Sequence, residues 1–81
     1  MEELVKYIVE RLVTDKDSVS VRMNEADRNE QIITVFVAKQ DMGKVIGKNG
    51  KIAQAIRSIV KTAGAKDKNK YFVKFEEKAD W

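Results

Sequence analysis

The chain contains neither cysteine nor histidine. Without cysteine it can form no disulfide framework and no thiolate metal site. Without histidine it lacks the commonest general base and the commonest metal ligand. Ser18, Ser20 and Ser58 therefore have no imidazole to activate them, and no carboxylate pair sits at an obvious catalytic spacing. We expect no catalytic residue, no metal and no cofactor. Long apolar runs are also missing: nothing approaches the roughly 20 residues a membrane helix needs. The start, Met1-Glu2-Glu3, is acidic and lacks the basic region of a secretory signal. The expectation is a soluble, cytoplasmic chain with no membrane partner.

At 81 residues there is room for one small domain, expected to end near residue 77 with 78–81 as a frayed tail. A chain this short buries only about 60–65% of its unfolded surface, so its core must be one thin layer on another. The net charge of +3 is modest, but it is unevenly spread. From Lys39 to Lys66 seven basic residues stand against Asp41 alone, a net of +6, while the rest carries nine basic and twelve acidic residues. Such a segment can attract a polyanion, or it can be an ordinary solvated lysine face.

Periodicity places the elements. Glu2 to Val13 reads as a helix with Leu4, Ile8 and Leu12 on one stripe and Val5 and Val9 beside them. After the polar break at 14–17, Ser18 to Asn24 alternates as a half-buried strand, with Val19, Val21 and Met23 on one side. The polar run Asn24 to Glu30 reads as a hairpin loop. Gln31 to Ala38, rich in β-branched residues and apolar on both faces, reads as a central strand. Asp41 is placed to cap a short helix carrying Met42, Val45 and Ile46 and ending at Gly47. A second helix follows Gly50, with Ile52, Ile56, Ile59 and Ala63 as its stripe and Gly64 as its stop. Tyr71 to Glu76 alternates as a third strand. The order α-β-β-α-α-β implies an α+β sandwich of two layers. In this register Ile32, Phe36 and Phe72 point away from the helices and form an exposed apolar patch, a place for a partner; the alternative register buries them.

The informative run is Val45-Ile46-Gly47-Lys48-Asn49-Gly50-Lys51-Ile52. Glycine permits positive φ in a tight turn and lacks the Cβ that keeps a ligand from the main chain. The helix that starts next presents unpartnered amides and the positive end of its dipole, which suit an anion. Lys48 inside the turn and Lys44 and Lys51 beside it add cations, and Asn49 tolerates a left-handed backbone. The same two glycines can equally serve as plain helix caps. Rival glycine motifs fail on spacing. No Gly-x-x-x-x-Gly-Lys-Ser/Thr exists, and Val45 stands where a dinucleotide fingerprint needs glycine. The helix-hairpin-helix turn of duplex-DNA binders usually has Gly-x-Gly.

This run resembles the signature of KH domains, in which a Gly-x-x-Gly loop between two helices clamps about four nucleotides by their backbones. The element order is similar to the type II KH arrangement. The longer stretch from Asp41 to Arg57 resembles the small bacterial single-KH proteins of the KhpA (YlqC) family. That resemblance implies a mixed three-stranded sheet with three helices on one face. It implies binding of single-stranded RNA with little sequence preference, in the role of RNA chaperone or post-transcriptional regulator. It also implies a homodimer, or a heterodimer with a KhpB (Jag/EloR)-type protein.

On this reading Gly47 and Gly50 shape the loop, Lys48 and Asn49 face the nucleic acid, and Lys44 and Lys51 supply attraction. Ile46 and Ile52 line a groove or the core, and Arg57 reaches a phosphate or only solvent. The basic segment has no aromatic residue, so stacking platforms are expected to be absent near the loop. Two other functions stay open: a protein-interaction module whose glycine turn is purely structural, and a duplex-DNA binder of the helix-hairpin-helix kind.

Overall fold

The three strand segments pair into one sheet of order β1-β2-β3 in the computed structural model, which describes residues 1–78. Helix α1 (Glu2–Glu10) leads through a short turn to β1 (Ser20–Asp27), which pairs antiparallel with β2 (Glu30–Val37). Helices α2 (Met42–Ile46) and α3 (Lys51–Gly64) then return the chain so that β3 (Lys70–Glu77) lies parallel to β2. A parallel neighbour requires such a crossover, because the chain must travel back before running the same way again. The sheet is mixed, β2 is central, and the α+β fold is that of a type II KH domain with three helices.

The core lies between the helices and one sheet face. Ile33, Val35, Val37 and Val73 are buried on that face, against Val5, Val9, Val45, Ile56 and Val60 from the helices. The opposite face carries Ile32, Phe36 and Phe72, none of which joins the core; Phe72 is 50% exposed and the other two are half-buried. The register in which these three point away from the helices is thus the one adopted.

Several expectations are corrected. The first helix ends at Glu10, short of the expected Val13; of its expected stripe Val5 and Val9 are buried, while Leu4 is 37% exposed and Ile8 and Leu12 pack only at the margin. In α3 the buried line is Ala53, Ile56, Val60 and Gly64, while Ile59 is 45% exposed. The α3 line keeps Ile56 and is otherwise displaced by one residue from the expected Ile52, Ile59 and Ala63. Compact side chains let a helix approach the sheet closely, so valine, alanine and glycine take the contact line and bulkier residues flank it. The polar run 24–30 is mostly strand: β1 continues to Asp27, with a register irregularity between Glu25 and Asp27, and only Arg28 and Asn29 form the turn. Asn29 adopts φ 60°, a left-handed turn geometry that asparagine tolerates. Ladder bonds come from the backbone, so polar side chains do not end a strand. Gly64 does not stop α3 by a left-handed cap, since its φ is −71°. Its missing Cβ instead admits the ring of Tyr71, which a methyl there would meet at 2.4 Å. Of the expected tail, the Lys78 amide donates to the Val37 carbonyl at 2.8 Å, and residues 79–81 lie outside the described residues.

Candidate nucleic-acid interface

Helix α2 ends at Gly47 because the backbone there takes φ 77° and ψ 173°, a region essentially reserved for glycine. The Gly47 amide closes the helix on the Gly43 carbonyl at 2.9 Å. Asn49 and Gly50 follow in left-handed geometry, at φ 58° and 74°, and the Gly50 amide donates to the Gly47 carbonyl at 3.2 Å. These turns reverse the chain so that α3 begins at Lys51 with Gly50 as its N-cap. The first amide of α3, that of Lys51, donates to the Lys48 carbonyl within the loop, and Gly50 offers no side-chain cap to the amides that follow.

The two glycines differ. A Cβ on Gly47 would lie 2.6 Å from Ile52 Cγ1 and 2.9 Å from the Ile52 amide nitrogen, whereas one on Gly50 meets nothing within 4 Å. Gly47 is required by packing within the loop. Gly50 leaves bare main chain open to the outside. Lys48 and Asn49 at the tip are exposed, as are Lys44 and Lys51 on either side. The sequence thus placed both caps and the exposed tip. Ile46 and Ile52 are partly buried and pack against the core.

The expected capping role of Asp41 is corrected. It occupies the N-cap position of α2 but makes no side-chain cap bond. Its buried carboxylate instead accepts from the Thr14 amide (3.0 Å), the Thr14 hydroxyl (2.8 Å) and the Asp15 amide (3.0 Å), with Lys44 Nζ at 3.8 Å. The Thr14 amide, opposed by burial and aided by the Asp15 amide, the Thr14 hydroxyl and Lys44, holds the carboxyl below its ordinary 3.8. This ties the base of the loop-bearing helix to the segment after α1. The partner lies 27 residues away, out of reach of any local capping rule.

Arg57 is exposed but not free. Its Nε donates to the Val73 carbonyl at 3.3 Å and its guanidinium lies 5.8 Å from the Phe75 ring centre, linking α3 to β3. Seven residues beyond Gly50, it sits about 10 Å along the helix from the loop. There a groove of about 540 Å³ opens between α3 and β3, lined by Arg57, Lys61, Lys70, Tyr71 and Phe72 among others. The segment 39–66 itself carries no aromatic residue, but β3 brings Tyr71 and Phe72 beside Arg57 and Lys61 in this groove, away from the loop. The position of Tyr71 and Phe72 between Lys70 and Lys74 was the available signal. Among the described residues no group of three or more acidic side chains could hold a metal ion, and no helix is long and apolar enough to cross a membrane.

The sequence model of the KhpA/KhpB KH domain matches residues 2–75. The chain belongs to the KhpA/KhpB family of KH domains. The RNA-binding protein KhpA of Caldanaerobacter subterraneus subsp. tengcongensis is 51% identical over 74 residues, covering 90% of this chain and 96% of that one. The RNA-binding protein KhpA of Clostridium perfringens is 47% identical with the same coverage. Among solved structures, Aquifex aeolicus Era bound to GDP and aluminium fluoride superposes with a TM-score of 0.61 at 18% identity, over 94% of this chain and 29% of that one. Era in complex with MgGDPNP and nucleotides 1506–1542 of 16S ribosomal RNA superposes with a TM-score of 0.54 at 19% identity, with the same coverage. At these identities the two Era structures speak to the fold of the family domain alone.

Proposed function

We propose that this KH domain binds single-stranded RNA through the Gly47–Gly50 loop, with little discrimination between bases, and acts without catalysis as an RNA chaperone or post-transcriptional regulator. The observation that carries the reading is the bare Gly50 main chain at the head of α3, with exposed Lys48 and Asn49 at the tip and Lys44 and Lys51 beside it. A phosphodiester can approach that backbone without meeting a Cβ, and the cations hold it there. The relatives named RNA-binding protein KhpA support the ligand class. From the loop the strand follows α3 into the groove before Arg57 and Lys61, where Tyr71 and Phe72 offer flat surfaces to bases. Contacts of this kind read backbone and stacking rather than base edges, hence low specificity. We further propose that the domain works in the cytoplasm as a dimer, with a second copy or with a KhpB-type protein, as the joint family name supports.

The double replacement Lys48→Asp with Asn49→Asp tests the loop. Fluorescence anisotropy with a labelled oligoribonucleotide should show affinity reduced by roughly tenfold or more, with the circular dichroism spectrum unchanged. Unchanged RNA affinity would favour a purely structural turn. Preference of the native protein for duplex DNA would favour the helix-hairpin-helix alternative.

A further inference from the structure

We infer that the open face of the sheet is a second contact surface for the same single-stranded RNA, reached over the edge of β3 from the groove; this rests on the proposed loop function and extends it. The register sets three rungs across that face: Asn24–Ile32–Phe72, then Arg22–Thr34–Lys74, then Ser20–Phe36–Glu76. Asp27, Glu30 and Lys70 form a rung at one end of it, so the charges on the face are Arg22, Lys70 and Lys74 against Asp27, Glu30 and Glu76, with the anions at the two ends and Arg22 and Lys74 between the aromatic rungs. A rung with both cations lies between two rungs that each carry a phenylalanine. Arg22 also holds its guanidinium 6.0 Å from the Phe36 ring centre.

Rings and cations on adjacent strands, spaced by small polar side chains, offer stacking and phosphate contacts at the same time. A protein interface is a poorer fit, since its centre is depleted in lysine and wants a continuous apolar patch. Here Lys74 interrupts the patch between Phe72 and Phe36. Continuity with the groove supplies the path. β3 is an edge strand, Phe72 lines the groove, and its pairing with Ile32 places it on the open side as well.

The experiment uses the native chain with labelled oligouridines of about 4 and about 12 nucleotides, the shorter matching the reach of a Gly-x-x-Gly loop. Two variants probe the face away from the loop. Phe36→Leu keeps apolar volume and charge while removing the ring. Arg22→Ser with Lys74→Ser removes two surface cations. Each should weaken the 12-mer by roughly tenfold, the order expected for one lost stacking or phosphate pair, and leave the 4-mer within about twofold. Ultraviolet crosslinking of an iodouridine 12-mer should label the peptide containing Phe36. If both variants bind the 12-mer as tightly as the native chain does, the inference fails, and it fails equally if Phe36→Leu alters only the sedimentation of the protein. Lys48→Asp with Asn49→Asp, run alongside, should weaken both lengths. If it does while the face variants do not, the loop reading stands and the second surface falls. If it does not, the loop reading itself has failed.

Discussion

At one end of α2 a buried carboxylate gathers three donors from the chain after α1; beyond the other, seven and eight residues on, a lysine and an asparagine stand in solvent beside a glycine where a Cβ would meet nothing within 4 Å. The two ends solve opposite problems. A short helix has too few hydrogen bonds to hold itself, so its orientation must be fixed from outside. The Asp41 cluster does that through a fully buried carboxylate. The loop must keep its tip exposed, so it holds its shape with backbone conformation and local bonds from the Gly50 amide to Gly47 and the Lys51 amide to Lys48. Gly47 belongs to the first logic and Gly50 to the second, although they read identically in a sequence.

Breaking the fixed end should have the largest effect. Asp41→Ala leaves two amides and a hydroxyl without their acceptor. It should lower the melting temperature by on the order of 15 °C, as followed by circular dichroism. Lys48→Asp with Asn49→Asp should leave it within about 3 °C. A small shift for Asp41→Ala would mean that water replaces the carboxylate and that α2 is held by packing alone.

The glycines sharpen the contrast at intermediate size. Gly47→Ala forces a Cβ into a glycine-only backbone region and against Ile52, and should cost about 10 °C in melting temperature. Gly50→Ala meets only the milder left-handed penalty, about 5 °C, but should weaken RNA more than it weakens the fold, because the new methyl covers the open backbone. Equal ratios of binding loss to melting loss in the two variants would erase the distinction between them.

Of the two ends of α2, only the fixed one carries a carboxylate. The Asp41 carboxyl is depressed in the folded state, so above the ordinary value of 3.8 both folded and unfolded chains are ionised and its contribution is complete. As pH falls through 3.8 towards the folded-state value, the unfolded chain takes up the proton first and stability declines. Asp41→Asn removes that group. Its melting temperature should change less steeply than that of the native chain between about pH 5 and pH 2. Parallel curves would assign the acid response to other carboxylates.

The contrast also explains what a sequence can disclose here. The loop was legible because its determinants are local: two glycines, the residues between them, and helical patterns on either side. The order of elements was legible for the same reason. Three things were not. The inward line of α1 and α3 depends on how closely each helix approaches the sheet, which favours Val9 over Leu4 and Val60 over Ile59 against their bulk. The strand through 24–27 depends on backbone pairing with β2, to which Asn24 and Glu25 contribute no apolar signal. Asp41 and Arg57 depend on partners 27 and 16 residues distant, Thr14 and Val73, which no spacing rule connects.

Lys44 stands between the two regions and gives the finest test. It is 47% exposed, on the path to the loop, yet its ammonium lies 3.8 Å from the Asp41 carboxylate. Seen by a distant polyanion, a cation beside a fixed anion is closer to a dipole than to a charge. Lys48 has no such neighbour among the ion pairs of the described residues. For single strands the slope of log affinity against log salt is about −0.7 per phosphate neutralised, so Lys48→Ala should flatten it by about 0.7 and Lys44→Ala by less than half of that. Should the two flatten it equally, the carboxylate's charge is already dissipated into the Thr14 and Asp15 donors. Lys44 would then belong, electrostatically, to the loop.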